Sequence, residues 1–130
     1  MVSKTHLLAI ADLSDVLTLS GVYSRSEASR NALAAEAEQI CGHFGTVYQS
    51  IDEICADPEV DFAIVLTPPN ARLEITEKLS AAGKAILMEK PVERTATAAA
   101  EIVDICEKAG VALGIVFQHR VRAASEKLLE

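Results

Sequence analysis

The apolar run Ala85-Ile86-Leu87-Met88 passes directly into an acid, a base and a proline, Glu89-Lys90-Pro91. The run follows Gly83 and is too short for a helix, so it reads as a buried strand. Pro91 has no amide proton for a ladder, and its ring fixes the backbone, so the strand stops there. Glu89 and Lys90 therefore stand at the carboxyl end of a strand. In open α/β sheets, ligands bind outside that edge. A lysine held there can reach a small substrate. In a dry site its pKa can also fall far enough for it to move protons. The alternative is two solvated residues at a strand end.

The flanking chain supplies an α/β setting. Thr5 to Ala11 reads as a helix already under way, with no entry strand before it. Leu17–Tyr23 reads as a strand, and Ser26 can cap the helix that runs from there to about Cys41, with Leu33, Ala37, Ile40 and Cys41 on one face. Thr46-Val47-Tyr48 is a short strand, and Ser50-Ile51-Asp52-Glu53 has the spacing of a capping box before a short helix ended by Asp57-Pro58. Phe62–Leu66 is continuously apolar, as expected of a strand covered on both faces. Thr67-Pro68-Pro69-Asn70 turns the chain into a helix over 71–82, with Ile75, Leu79 and Ala82 inward and Gly83 as its stop. After the Glu-Lys-Pro strand, Thr95 can cap a helix through Ala109, with Ala99, Ile102, Val103 and Cys106 inward. Val111–Phe117 is the last strand, and Gln118-His119-Arg120 leads into an amphipathic stretch. Strands alternating with helices over short connections predict a parallel sheet with helices on both faces.

Composition narrows the function classes. The 130 residues fit one domain, and half of them are hydrophobic, enough for a core. Net charge is -7 with no basic stripe, which argues against a nucleic-acid surface. No apolar run reaches the roughly 18–20 residues that span a bilayer, and no signal-peptide pattern opens the chain. Cys41, Cys55 and Cys106 form no CxxC pair, which fits reduced thiols and a cytoplasmic location. Cys41-Gly42-His43 offers two ligands, too few for a zinc site, so no metal is expected.

Several of these segments agree in order and spacing with one family. The chain resembles, over essentially all its length, the nucleotide-binding domain of the glucose–fructose oxidoreductase / inositol dehydrogenase family, Gfo/Idh/MocA. Glu89-Lys90-Pro91 matches the family's Glu-Lys-Pro signature. Asp61 to Asn70 matches the strand and turn that approach the cofactor, and His6 matches a histidine at a fixed spacing after the glycine-rich loop. His6 beside Leu7 and Leu8 also suits a packed helix residue. Arg72 departs from the histidine often found after the Thr-Pro-Pro-Asn turn.

The resemblance implies an incomplete doubly wound, Rossmann-type domain. By the spacing to His6, Met1 falls just after the second glycine of the family's G-x-G-x-x-G turn, and Ser3 stands at the third. That turn normally brings backbone amides and a helix N-terminus to the pyrophosphate. The expectation is a partial NAD(P)-binding domain over 1–130, lacking the first strand and without the family's substrate domain. In the family's topology the missing strand is central, so its loss removes ladder bonds on both sides; such a chain is expected to be marginally stable or aggregation-prone, unless its sheet closes the gap by direct pairing, and inactive alone. A cooperative urea transition of normal slope would contradict the first of these.

The resemblance also implies the site. In a complete relative Lys90 contacts the substrate hydroxyl and the nicotinamide side, polarising the reacting oxygen or holding its proton. Glu89 orients Lys90 or touches cofactor ribose, against the alternative of a plain strand-end carboxylate. Thr67, Pro68 and Asn70 wall the nucleotide crevice, although any rigid turn would use such residues. Ser24 and Arg25 follow the second strand, where an acid would bind the 2′-hydroxyl of NAD, so Ser-Arg leans to the 2′-phosphate of NADP over NAD. Gln118, with His119 and Arg120, lies where contacts near the nicotinamide are expected, or forms a charged cap.

The implied activity is NAD(P)-dependent hydride transfer on a sugar, cyclitol or related polyol, with the small substrate bound only by a full-length form. The alternative is a catalytically inactive fragment, a nucleotide-sensing module, or a piece completed by a partner that adds a strand. An oligomer is compatible with either reading.

Overall fold

The structure, a computed structural model, describes residues 2–118, 120 and 127. His119 and nearly all of the amphipathic stretch expected after Arg120 lie outside the described residues. The chain divides into two compact units, Met1–Val60 and Asp61–Glu130.

The first unit runs α1 (Val2–Asp12), β1 (Gly21–Val22), α2 (Glu27–Cys41), β2 (Thr46–Val47) and α3 (Ile51–Ala56). Its core is Leu7, Val22 and Ala37, with Leu19, Leu33, Ile40, Cys41, Phe44 and Val47 packed around them. The apolar face expected on α2 is therefore the one that is covered. Ser26 caps α2 by accepting from the Ser29 amide at 3.2 Å. Ser50 caps α3 by accepting from the Glu53 amide at 3.2 Å. The return bond of the capping box reaches one residue further back than expected: the Glu53 carboxylate accepts from the Gln49 amide at 2.7 Å.

The strand expected over Leu17–Tyr23 is much shorter. The amides of Val16 and Leu17 still bond back to the Leu13 carbonyl at 2.9 and 2.8 Å, so the chain is turning out of α1 there. Only Gly21 and Val22 pair, in parallel, with Thr46 and Val47. Gly21 is required by closeness. A Cβ on it would sit 2.3 Å from the Thr46 carbonyl oxygen and 2.4 Å from the Tyr48 ring.

The second unit runs β3 (Phe62–Val65), a 3-10 turn (Pro69–Ala71), α4 (Arg72–Ala81), β4 (Ala85–Glu89), α5 (Ala96–Ala109) and β5 (Leu113–Val116). The three strands form a parallel sheet in the order β3-β4-β5. The central strand β4 is the Glu-Lys-Pro strand, and its Ile86 and Met88 are 3 % and 0 % exposed. Each crossover is a helix, as parallel strands require, and α4 and α5 pack against each other. Thr95 caps α5 by accepting from the Ala98 amide at 3.2 Å, and Gly110 closes it in the left-handed conformation.

Two inward assignments change. Ala82 is exposed, and the covered face of α4 is Arg72, Thr76, Leu79 and Ser80. Val103 on α5 is also exposed, while Ile102 and Cys106 are buried. On α4 the apolar pattern misleads because three of the four covered residues are polar. The α/β class with all strands parallel is as expected, and among the described residues the strands form two small sheets, of two and three strands, with no direct pairing that joins them, as the loss of a central strand implies. Among the described residues, no helix is long and apolar enough to cross a membrane.

Candidate functional site

The carboxyl edge of the β3-β4-β5 sheet gathers most of the expected residues. Register sets their heights. Val65 of β3 lies opposite Met88, and Glu89 lies opposite Val116 of β5. Glu89 is thus the last residue of β4 in the ladder, and Lys90 is the first beyond it. Lys90 is exposed and Glu89 half-buried. The Glu89 carboxylate accepts from the Lys90 backbone amide at 3.2 Å. This bond is made to the backbone of Lys90, not to its ammonium.

The turn after β3 stands at the same edge. Thr67 is half-buried, whereas Pro68 and Asn70 are exposed. The Thr67 hydroxyl oxygen is itself buried and has no hydrogen-bond partner among the described residues. A buried hydroxyl without a partner is costly, since it forfeits the bonds it had in water. Gln118 is an exposed turn residue just beyond β5. Next to it, the Arg120 guanidinium lies 5.1 Å from the Phe117 ring centroid, in cation–π range.

Arg72 is the residue whose part sequence reasoning missed. It opens α4 and is only 3 % exposed. Its Nε donates to the Thr67 carbonyl at 2.9 Å, and one terminal nitrogen donates to the carbonyls of Glu89 and Pro91. Burial lowers its pKa, while the carboxylates of Glu89 and Glu93 work in the opposite direction. The available signal was a lone arginine at the mouth of an apolar helix pattern, three residues after a double proline.

In the first unit, the two remaining candidates follow β1. Ser24 is half-buried and Arg25 exposed. Arg30, on the first turns of α2, donates from one terminal nitrogen to the carbonyls of Ser24 at 2.9 Å and Arg25 at 3.1 Å. That bond holds the turn and adds a second cation to it. An open groove of ≈ 440 Å³ elsewhere in this unit is lined by Asn31, Glu38, His43 and Phe44, among others, and holds none of the expected residues. His6 is half-buried on α1, and Ser3 donates to the Glu36 carboxylate of α2 at 3.2 Å. Among the described residues no group of three His, Cys, Asp or Glu side chains is placed to hold a metal ion.

Comparison with known proteins agrees with this architecture. Residues 1–117 match the family model described as "Oxidoreductase family, NAD-binding Rossmann fold", GFO_IDH_MocA. An inositol 2-dehydrogenase of Rhizobium meliloti is 32 % identical over 92 residues, which is 71 % of this chain and 26 % of that protein. D-xylose 1-dehydrogenase (NADP(+)) 2 of Haloferax volcanii is 29 % identical over 111 residues, 85 % of this chain and 33 % of that protein. The WlbA dehydrogenase of Chromobacterium violaceum, solved with NADH and UDP-GlcNAcA, superposes with a TM-score of 0.84 at 25 % identity, over 98 % of this chain and 35 % of its own. The chain thus spans about a quarter to a third of the length of these relatives.

Proposed function

This chain belongs to the Gfo/Idh/MocA oxidoreductase family, with its NAD-binding Rossmann fold, and on that premise we propose that it is the nucleotide-binding part of an NADP-preferring oxidoreductase of sugars, cyclitols or related polyols. The match of residues 1–117 to the NAD-binding family model carries this reading, and the Thr67 hydroxyl, one of two buried hydroxyls without a partner among the described residues, the other being that of Thr76, adds to it by its place. The Thr67 hydroxyl lies at the sheet edge where α/β folds bind nucleotides, and a ribose hydroxyl or a carboxamide would give it the bond it lacks. The relatives named for inositol and D-xylose support the polyol class.

The chain's own groups divide the work. Thr67, Pro68 and Asn70 wall the nucleotide crevice. Glu89 fixes the Lys90 backbone, so that the Lys90 ammonium meets the substrate oxygen and holds or releases its proton. Gln118 borders the same edge from β5. Ser24 and Arg25 receive the adenosine end, with Arg25 and Arg30 supplying positive charge for a 2′-phosphate. Bound nicotinamide nucleotide supplies the hydride acceptor or donor; the protein positions and protonates.

Calorimetric titration of the chain with NADPH and NADH tests this. Micromolar binding is expected, tighter for NADPH, with the difference abolished in Arg25→Ala. Absence of binding to both nucleotides by a folded chain would overturn the reading. Equal affinity for both would remove the NADP preference alone.

A further inference from the structure

Arg72 stands in a place that stability alone does not favour. It is a cation on the first residue of α4, where the helix dipole is positive. It is also nearly completely buried, and burying a guanidinium is costly unless its donors are paired. Its hydrogen-bond acceptors among the described residues are backbone carbonyls, of Thr67, Glu89 and Pro91, and none belongs to its own helix. Those carbonyls lie on the two segments that carry the candidate site. Two of them flank Lys90 directly, one on each side.

We propose that Arg72 is a positioning residue: its guanidinium locks the backbone before and after Lys90 to the Thr67 turn and thereby fixes where the Lys90 ammonium is presented. This rests on the reading of Lys90 and Thr67 as ligand-facing groups. The planar fork matters as much as the charge. A guanidinium presents several N–H groups in fixed directions, so it can serve separate carbonyls at once, whereas an ammonium is a single point. Side chains that touch no ligand can act in this way by holding the ones that do.

The test uses Arg72→Lys, which keeps the charge, and Arg72→Met, which keeps the stem. Leu79→Ala, in the buried face of the same helix, serves as a control for lost stability. Each protein is measured under conditions where it is folded, by the backbone amide signals of Glu89 and Lys90 and by NADPH affinity. In both Arg72 variants the two amides are expected to shift and to exchange faster with solvent, with binding weakened about tenfold, as expected for losing a hydrogen bond from a charged group. Leu79→Ala is expected to lower the unfolding midpoint and leave both readouts as in the parent. Unchanged amides and affinity in a folded Arg72→Met overturn the proposal and leave a purely structural arginine. Should neither variant fold, the parent decides it. Slowly exchanging Arg72 guanidinium protons support the lock, and freely exchanging ones overturn it. Amide shifts in the variants of a parent that binds no nucleotide support the lock while overturning the proposed function.

Discussion

Arg72 and Thr67 are joined by an Nε–H···O=C hydrogen bond of 2.9 Å, so the first residue of α4 closes the turn that ends β3. The bond occupies the Thr67 carbonyl and leaves its hydroxyl unpartnered in a buried position. One residue thus has its backbone carbonyl satisfied and its side-chain hydroxyl without a partner among the described residues.

Thr67→Val should separate those two functions. Valine keeps the shape and removes the orphan hydroxyl, so without ligand the urea midpoint is expected to stay the same or rise, by a gain of about 1 kcal/mol at most. NADPH affinity should fall in the same variant. A loss of stability with unchanged affinity would show that the hydroxyl serves the fold rather than a ligand.

Tyr48 makes the first unit sensitive to alkaline pH. Its phenol donates to the Asp57 carboxylate at 2.6 Å and the side chain is 4 % exposed. Burial first, and then the bond and charge of Asp57, push its pKa from 10.0 to about 12. The folded state holds this proton more tightly than the unfolded state. Its contribution is therefore fully present below pH 10 and is lost as the pH rises from 10 towards 12. Tyr48→Phe is expected to cost about 1–3 kcal/mol near neutral pH and to flatten the decline between those limits. Urea titrations at several pH values, with absorbance of the phenolate, check both.

Gly21→Ala should disrupt the β1–β2 pair. The added Cβ would meet the Thr46 carbonyl oxygen at 2.3 Å and the Tyr48 ring at 2.4 Å. Because one neighbour is backbone, the strand has to move. A loss of about 1–3 kcal/mol is expected by denaturant unfolding, as for other overpacked sites. A neutral result would mean that the two strands separate at little cost.

Local signals carried the fold, and long-range polar contacts were hidden. Ser26, Ser50 and Thr95 announce their helices because a cap is made within a few residues of sequence. The Glu-Lys-Pro strand is legible because its apolar run and its proline are contiguous. The division into two sheets is legible only through the family resemblance, in which the missing first strand is central; no residue in a strand names its neighbour. Nor is the true inner face of α4. Arg72, Thr76 and Ser80 look like solvent residues, and Arg72 proves buried because its acceptors come from positions 5, 17 and 19 residues along the chain. The position of Lys90 and Thr67 at the sheet's carboxyl edge could be read from the strands before them, whereas the arginine that ties their segments together could not.

Nucleotide binding at the sheet edge is tested by an amide-resolved NMR titration of the chain with NADPH. Saturable shifts concentrated at Ser24, Arg25, Thr67, Asn70, Glu89 and Lys90 are expected. Saturable shifts confined to other residues, such as the groove around Asn31, Glu38 and His43, or no shift at all in a chain with a dispersed spectrum, would contradict such binding.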